Sequence, residues 1–314
     1  IDLANMAASD RKTQEGLEHL SKAEKCMKTG LLKWKPDYDG AAYEYGKAAV
    51  AFKNAKAQDK AIDAYIKQAE VLKTNGSAFH AAKALEAASL IYKEQKNWAK
   101  VMEMVEKAAL MYLEHGTPDT AAIALERAAK ILEQGDPGRA ITMYLRGADI
   151  LEGEDKKHQC AEMIGKAGRL FLRLKRYDDA LKSIKKEMDF YSQVDNNGMN
   201  NKLVMGLVMI HLQQGDYVAA DIAFKNCLGS YPGIAESEEA QVIQGMLDAW
   251  DEGDGDAVAK YLKAPQFRFM ENEFTKLARD IKIPGQTKST GGSNNDPTAG
   301  DGGDHDDEFS EGLL

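Results

Sequence analysis

Cysteine and long apolar runs are both scarce in this sequence. The three cysteines, Cys26, Cys160 and Cys227, are odd in number and widely spaced, so we expect buried free thiols in a reducing compartment and no disulfide framework. The longest apolar run, 203–212, has about half the length needed to span a membrane, which favours a buried helix. The first residues lack the basic region followed by an apolar one that marks a secretory signal. We therefore expect a cytoplasmic protein.

Motifs for metal binding, catalysis and nucleotide binding are also missing. The six histidines never occur as a pair at helical ligand spacing, and there is no His-Glu-x-x-His run. Lys288-Ser289-Thr290 resembles the end of a phosphate-binding loop. However, no glycine stands immediately before the lysine, and no predicted strand leads into the segment. Neither a nucleophile elbow nor a dinucleotide fingerprint is present. We therefore predict that the chain is not an enzyme and holds no metal or cofactor.

The charge balance is acidic and argues against a nucleic-acid partner. The net charge is -9 and the isoelectric point is near 5.3, whereas a nucleic-acid-binding domain carries a basic footprint. The acidic residues are concentrated towards the end of the chain, so the middle is closer to neutral. Ala, Leu, Lys and Glu dominate that middle part, which is typical of helical arrays.

A small residue recurs about every twenty positions in a constant helical context. The recurring triplets are Lys47-Ala48-Ala49, Lys67-Gln68-Ala69, Glu86-Ala87-Ala88, Lys107-Ala108-Ala109, Arg127-Ala128-Ala129, Arg146-Gly147-Ala148 and Lys166-Ala167-Gly168. One helix per period, with a small residue where neighbours cross, predicts an all-α, right-handed tetratricopeptide-like solenoid. Its long antiparallel helix pairs, about forty residues per pair, should form a twisted sheet.

Composition changes along the chain divide it into four predicted parts. Residues 1–15 are expected to be a partly disordered extension, and residues 16–233 to form the solenoid. Residues 234–284 are expected to form a terminal helical cap, because the period weakens after Tyr231-Pro232-Gly233. Gly, Ser, Thr, Asn and Asp dominate residues 285–314, which predicts an acidic, disordered tail.

The segment Gly30 to Pro36 is a candidate membrane-contacting loop. Leu31, Leu32 and Trp34 alternate there with lysines, and this mixture suits a lipid headgroup boundary. The alternative is that Trp34 folds back onto the first helix pair. A loop this short would bind a membrane weakly.

A basic residue precedes the small residue in most repeats, and the members on alternate helices are predicted to form a row of cations on one face, which Glu86 interrupts. The basic residues are Lys47, Lys67, Lys107, Arg127, Arg146 and Lys166. Such a row would suit an acidic, rod-shaped partner. The alternative is a solvated face on which each cation pairs with a carboxylate such as Glu103 or Glu126.

The acidic residues near the end of the chain form a candidate second binding surface. Asp248, Asp251 and Glu252 lie close together in the predicted cap, and further carboxylates follow in the tail at 301–308. Acidic groups at one end and cations along the face would let two partners of opposite charge bind different regions. The alternative is a tail that serves solubility alone.

Several long motifs resemble the soluble NSF attachment proteins, in particular their gamma form. The motifs run from Lys33 to Asp39, from Glu44 to Lys56 and from Gly116 to Ala122. The resemblance implies a non-enzymatic adaptor that binds assembled SNARE four-helix bundles and recruits the hexameric ATPase NSF for their disassembly. It also implies vesicle-mediated transport, peripheral membrane association and other family isoforms on the same bundle.

The resemblance suggests roles for individual residues. Leu31, Leu32 and Trp34 occupy the position of the family's membrane loop, although Leu31 replaces an aromatic residue. Lys166 aligns with a lysine that contacts SNARE bundles. Ile123 falls near a second such lysine, so Arg127 is the expected substitute, and Lys47 belongs to the same predicted row.

The acidic cap and the penultimate residue are the expected NSF contacts. Asp248, Asp251 and Glu252 match acidic family positions that face the basic N-terminal domain of NSF. Leu313 occupies the place of a leucine that stimulates ATP hydrolysis.

Two other functions remain open from the residues alone. The chain could be a tetratricopeptide-like co-chaperone that binds acidic peptides, or a structural scaffold without ATPase coupling. The helices longer than those of tight repeats, and the chain's own acidic tail, disfavour the co-chaperone.

Overall fold

The chain forms a stack of α-helices in the computed structural model, which describes residues 2–30 and 33–283. The described residues contain fifteen helices and one isolated antiparallel bridge, between Gly30 and Lys33. The helices are α1 Asp2–Met27, α2 Tyr38–Asn54, α3 Gln58–Thr74, α4 Ala78–Glu94, α5 Trp98–Glu114, α6 Pro118–Leu132, α7 Pro137–Gly153, α8 Lys157–Arg173, α9 Tyr177–Ser192, α10 Asn197–Gln213, α11 Tyr217–Ser230, α12 Glu238–Asp251, α13 Gly255–Tyr261, α14 Pro265–Arg268 and α15 Asn272–Asp280. This arrangement confirms the predicted all-α, tetratricopeptide-like solenoid.

The recurring small residues lie where neighbouring helices cross. Ala48, Ala88, Ala108, Ala128 and Ala167 are all buried. A methyl side chain lets two helix axes approach closely, whereas a larger side chain in the same place would separate them. Each helix from α1 to α9 packs mainly on its neighbours in the sequence.

Polar pairs join the ends of four pairs of adjacent helices in the described chain. In each, a residue in the turn after one helix bonds to a carboxylate in the first turn of the preceding helix, 36 or 37 residues earlier. The pairs are Asn75 with Asp39, Gln95 with Asp59, Lys156 with Asp119, and Gln214 with Asp178. These bonds hold successive helix pairs in register.

The first helix begins well before the predicted start of the solenoid. Residues 2–15, expected to be a partly disordered extension, belong to α1. The side chain of Ser9 donates a hydrogen bond to the carbonyl oxygen of Ala55 at 2.9 Å. Gly16 lies against the ring of Phe52, so closely that a Cβ atom there would come within 2.6 Å of the ring. This close packing against α2 orders the first half of α1.

The C-terminal helices pack on the solenoid through α12 and α15. Phe274 of α15 packs against Gly206 of α10, which has no side chain to obstruct the ring. Arg173 of α8 bonds to Glu273 of α15 at 3.0 Å. Residues 284–314, including the predicted tail, lie outside the described residues. Within the described chain, no helix is both long and apolar enough to cross a membrane.

Candidate partner-binding surfaces

The predicted cation row divides between two sets of helices. Lys47, Arg127 and Lys166 lie on the even-numbered helices α2, α6 and α8, whereas Lys67, Lys107 and Arg146 lie on α3, α5 and α7. Consecutive helices of a solenoid alternate between two layers. Ion pairs between α4 and α6, and between α6 and α8, are consistent with a shared layer for the even helices.

A groove of about 620 Å³ lies between α4 and α6, with α5 as its floor. On its wall, the Arg127 guanidinium donates to Glu86 Oε1 at 2.7 Å. The hydroxyl of Tyr112, on the floor, donates to Glu86 Oε2 at 2.6 Å. Burial and the bond to Glu86 raise the pKa of Tyr112, so its hydroxyl stays a donor. Lys83 lines the same groove, and its Nζ lies 5.1 Å from the centre of the Phe79 ring.

In the adjacent groove between α6 and α8, two lysines converge on one glutamate. Lys166 Nζ lies 2.7 Å from Glu126 Oε1, and Lys130 Nζ lies 2.8 Å from the same oxygen. Burial acts to raise the pKa of Glu126, but the hydrogen bonds from Lys130 and Lys166 outweigh it and leave the pKa lowered. Two cations therefore share one ionised carboxylate. Ile123 is half-exposed in this groove.

Lys47 differs from the other two cations because it makes no ion pair within the described chain. Its Nζ lies 4.3 Å from the centre of the Tyr43 ring, in a cation–π contact. Tyr43 is exposed, so the lysine and the ring together form an open basic and aromatic surface on α2.

The prediction of a row of available cations is therefore only partly right. Most members pair with carboxylates, as the alternative interpretation proposed. Lys107 pairs within its own helix, and the other paired cations each reach a glutamate two helices earlier. The pairs are Lys67 with Glu24, Lys107 with Glu103, Arg127 with Glu86, Arg146 with Glu106, and Lys166 with Glu126. Exposed ion pairs contribute only about 0 to 1 kcal/mol, so a stronger acidic partner can replace the glutamates.

The loop after α1 projects Trp34 into solvent. Gly30 and Lys33 exchange two backbone hydrogen bonds of 3.0 Å each. The Lys33 ammonium donates to the Cys26 carbonyl at 2.6 Å, which holds the start of the loop to the end of α1. Trp34 is 89% exposed, so the alternative in which it folds back onto the first helix pair is wrong. Leu31 and Leu32 lie outside the described residues.

The acidic surface lies at the end of α12. Asp248, Asp251 and Glu252 are all exposed, and none of them forms an ion pair within the described chain. Asp248 accepts a hydrogen bond from Gln244 at 2.7 Å. Tyr217 at the start of α11 has a raised pKa because of its burial, with Asp251 and Asp248 adding to the shift. The negative end of the helix dipole of α12 reinforces this field. Leu313 lies outside the described residues.

Two further cations, Lys83 and Lys130, line or border the grooves and lie outside the predicted row. Lys83 lies one turn before Glu86 on α4, and Lys130 lies one turn after Arg127 on α6. Helical spacing of three residues from one of the recurring triplets, at Glu86 and at Arg127, could have identified both, because residues three apart share a helix face.

An open stack of antiparallel helix pairs with charged grooves defines a tetratricopeptide-like binding scaffold. The described residues contain no cluster of side chains suited to a metal ion.

The family described as "Soluble NSF attachment protein, SNAP" matches residues 14–270. The chain belongs to this family. It is 28% identical over 273 residues to a gamma-soluble NSF attachment protein of Dictyostelium discoideum, covering 87% of this chain and 84% of the relative. It is 25% identical over 262 residues to the gamma-soluble NSF attachment protein of Arabidopsis thaliana, covering 83% and 90%. The crystal structure of the apo form of RapI is similar at a TM-score of 0.39 and 17% identity, covering 70% of this chain and 62% of that chain.

Proposed function

We propose that this chain is a non-enzymatic adaptor that binds assembled SNARE bundles and recruits and stimulates the ATPase NSF during vesicle-mediated transport. Membership of the attachment-protein family supports the NSF part of the proposal. The single observation that carries the SNARE part is the pair of open grooves between α4, α6 and α8 that display Arg127 and Lys166.

SNARE bundles would lie across the even-numbered helices. Lys47, Arg127 and Lys166 all occupy this set, and Lys83 and Lys130 add positive charge beside them. The bundle's acidic groups would take the place of Glu86 and Glu126. Because each exposed pair is worth only about 0.2 to 1 kcal/mol, affinity must come from many contacts.

Several adaptors on one bundle would multiply these weak contacts. Each additional attachment acts at a high effective concentration once the first is made. Other isoforms of the family could share the bundle, and Trp34 would provide a further contact with the membrane surface. The proposal therefore implies a cytoplasmic protein that associates peripherally with membranes.

A double charge reversal tests the SNARE surface. Arg127→Glu with Lys166→Glu should abolish retention of purified SNARE complexes in a pull-down, since it places two carboxylates where the partner is acidic. The matched control is Lys107→Glu with Arg146→Glu, which makes the same change on the odd-numbered helices and should retain binding. Equal retention by the two double variants would contradict the assignment.

The acidic end of α12 and the end of the chain would contact NSF. Asp248, Asp251 and Glu252 offer unpaired carboxylates to a basic partner, and Leu313 would act on ATP hydrolysis.

Deleting Leu313 and Leu314 should abolish stimulation of NSF ATPase activity and leave SNARE binding intact. Asp248→Lys with Asp251→Lys should weaken both the recruitment of NSF and the stimulation. The measurement is phosphate release by NSF in the presence of SNARE complexes and each variant. A scaffold without ATPase coupling would give the same rate with and without these changes.

A further inference from the structure

An apolar groove with a cationic rim lies at the outer end of the helical cap. It occupies about 420 Å³ between α13, α14 and α15. Leu262, Phe267, Ala278 and Ile283 contribute its apolar lining. The rim consists of three exposed cations, Lys263, Arg268 and Arg279.

The rim cations have no strong partner in the described part of the chain. Lys263 and Arg268 make no ion pair there, and Arg279 contacts only its neighbour Asp280, at 3.4 Å. The two glutamates at the start of α15 face α8 and not this rim. Glu271 bonds to Arg169 and Glu273 bonds to Arg173, both on α8. The groove therefore has the chemistry of a receptor for an acidic segment with an apolar anchor.

The chain itself supplies a segment of this chemistry. Residues 304–309 read Asp-His-Asp-Asp-Glu-Phe, which is four carboxylates and one aromatic side chain. Ile283 is both part of the groove lining and the last described residue. The chain that separates it from Asp304 can span at most about 70 Å, so the segment starts close to the groove and can return to it.

We propose that residues 304–309 dock in cis into this groove. Phe309 would insert between Leu262, Phe267 and Ile283, and the carboxylates would bind the rim cations. Docking within one chain benefits from an effective concentration in the mM range, so weak contacts suffice. The proposal is independent of the SNARE and NSF contacts, because it needs no partner.

Carbodiimide coupling tests the proposal on the full chain. This zero-length reagent joins a carboxylate to a lysine that contacts it, and peptide mass spectrometry identifies the linked pair. We expect links from Lys263 to carboxylates of 304–308. Lys276 serves as the internal control, because it is exposed on α15 but lines a different groove, beside Arg173. It should give no such links.

Two variants and an isotope mixture make the result decisive. Phe309→Ala, and separately Arg268→Glu with Arg279→Glu, should reduce the Lys263 links to background while thermal unfolding of the chain stays unchanged. In a mixture of ¹⁴N- and ¹⁵N-labelled protein, both peptides of each linked pair should carry the same isotope, because the link forms within one molecule. Equal links to Lys263 and Lys276, unchanged links in Phe309→Ala, or mixed-isotope links from a second copy would each overturn docking in cis.

Discussion

Single residues in the left-handed backbone region end many of the helices. The non-glycine examples in the described chain are Lys56, Lys96, Asp155, Lys175 and Asp195, with φ between 55° and 59°. Side chains with a Cβ pay about 1 to 2 kcal/mol in this region, whereas glycine adopts it freely. Gly76, Gly116 and Gly215 occupy the same kind of position in other turns.

Lys96→Gly should therefore stabilise the protein. Lys96 is exposed and has φ 55°, so the change removes backbone strain without removing a packed side chain. We expect the free energy of unfolding to rise by up to about 1 kcal/mol, because glycine's greater unfolded-state entropy offsets part of the relief. Urea denaturation measures it. Gly76→Lys is the matched reverse change and should lower stability; a gain in that variant would contradict the explanation.

A buried charge cluster joins α8, α9 and the start of α15. Arg169 and Glu187 have side chains only 6% and 2% exposed, and Arg169 Nη1 donates to Glu187 Oε2 at 2.8 Å. Glu271 accepts a second bond from Arg169, at 2.6 Å. Gly165 leaves room for Glu187, since a Cβ there would lie 2.5 Å from the carboxylate. Burial raises the pKa of Glu187 to about 7, although the attraction of Arg169 opposes the shift.

This raised pKa predicts a pH dependence of stability. Between pH 4.5, the ordinary value, and about 7, folded Glu187 holds a proton that the unfolded chain has released. Its contribution to stability is therefore complete below pH 4.5 and is lost as the pH rises towards 7, by on the order of 1 to 3 kcal/mol. Denaturation of the wild type and Glu187→Gln across this range should show stability curves that are not parallel. Parallel curves would exclude the shift.

At the scale of elements, hydrogen bonds hold the segment between α1 and α2 to both helices. Lys33 and Asp37 both bond to the Cys26 carbonyl, and the Asp37 carboxylate caps α2 by accepting from the Gly40 amide at 2.9 Å. Trp34 lies between these two bonded residues, so ordering its backbone on binding costs little entropy.

Trp34→Ser should weaken binding to anionic lipid vesicles about ten-fold, because burying part of an indole is worth on the order of 1 to 2 kcal/mol. The thermal midpoint should not change, since the side chain makes little contact with the fold. Vesicle flotation measures the binding. Phe269→Ser removes another exposed aromatic, on the cap, and should leave flotation unchanged; equal losses in both variants would indicate non-specific adsorption.

At the scale of the whole molecule, the charges are separated along the stack. Lys47, Arg127 and Lys166 lie on α2, α6 and α8, whereas the carboxylates without an ion pair, Asp248, Asp251 and Glu252, lie at the end of α12. A molecule of this kind can bind an acidic and a basic partner at once without competition between them.

Binding to SNARE complexes should weaken steeply as salt is added, because screening acts on many exposed charges together. The folding stability should change little over the same range, since exposed ion pairs contribute only about 0 to 1 kcal/mol each. Equilibrium binding and denaturation, measured in the same series of salt concentrations, test both statements. Salt-independent binding would favour an apolar interface.

The sequence by itself determined the helices and their stacking. The small residues at Ala48, Ala88, Ala108 and Ala128 repeat at a fixed interval, and helical periodicity acts over a few neighbouring residues, so both can be recognised without coordinates. Gly76 and Gly116 also give a local signal, because glycine adopts a positive φ freely and is typical of turns. The turn at Lys96 could not be recognised in this way, because a lysine there gives no local signal.

Only the tertiary structure decided how the charges are used. Arg127 pairs with Glu86 across 41 positions, and Arg169 pairs with Glu271 across 102. Such pairs depend on which helices become neighbours and on the direction of each side chain. Charge patterns identified candidate cations such as Arg127 and Lys166, but they could not identify which cations the fold neutralises. The exposure of Trp34 was likewise decided by tertiary structure, because it depends on whether the neighbouring helices form a pocket for the indole.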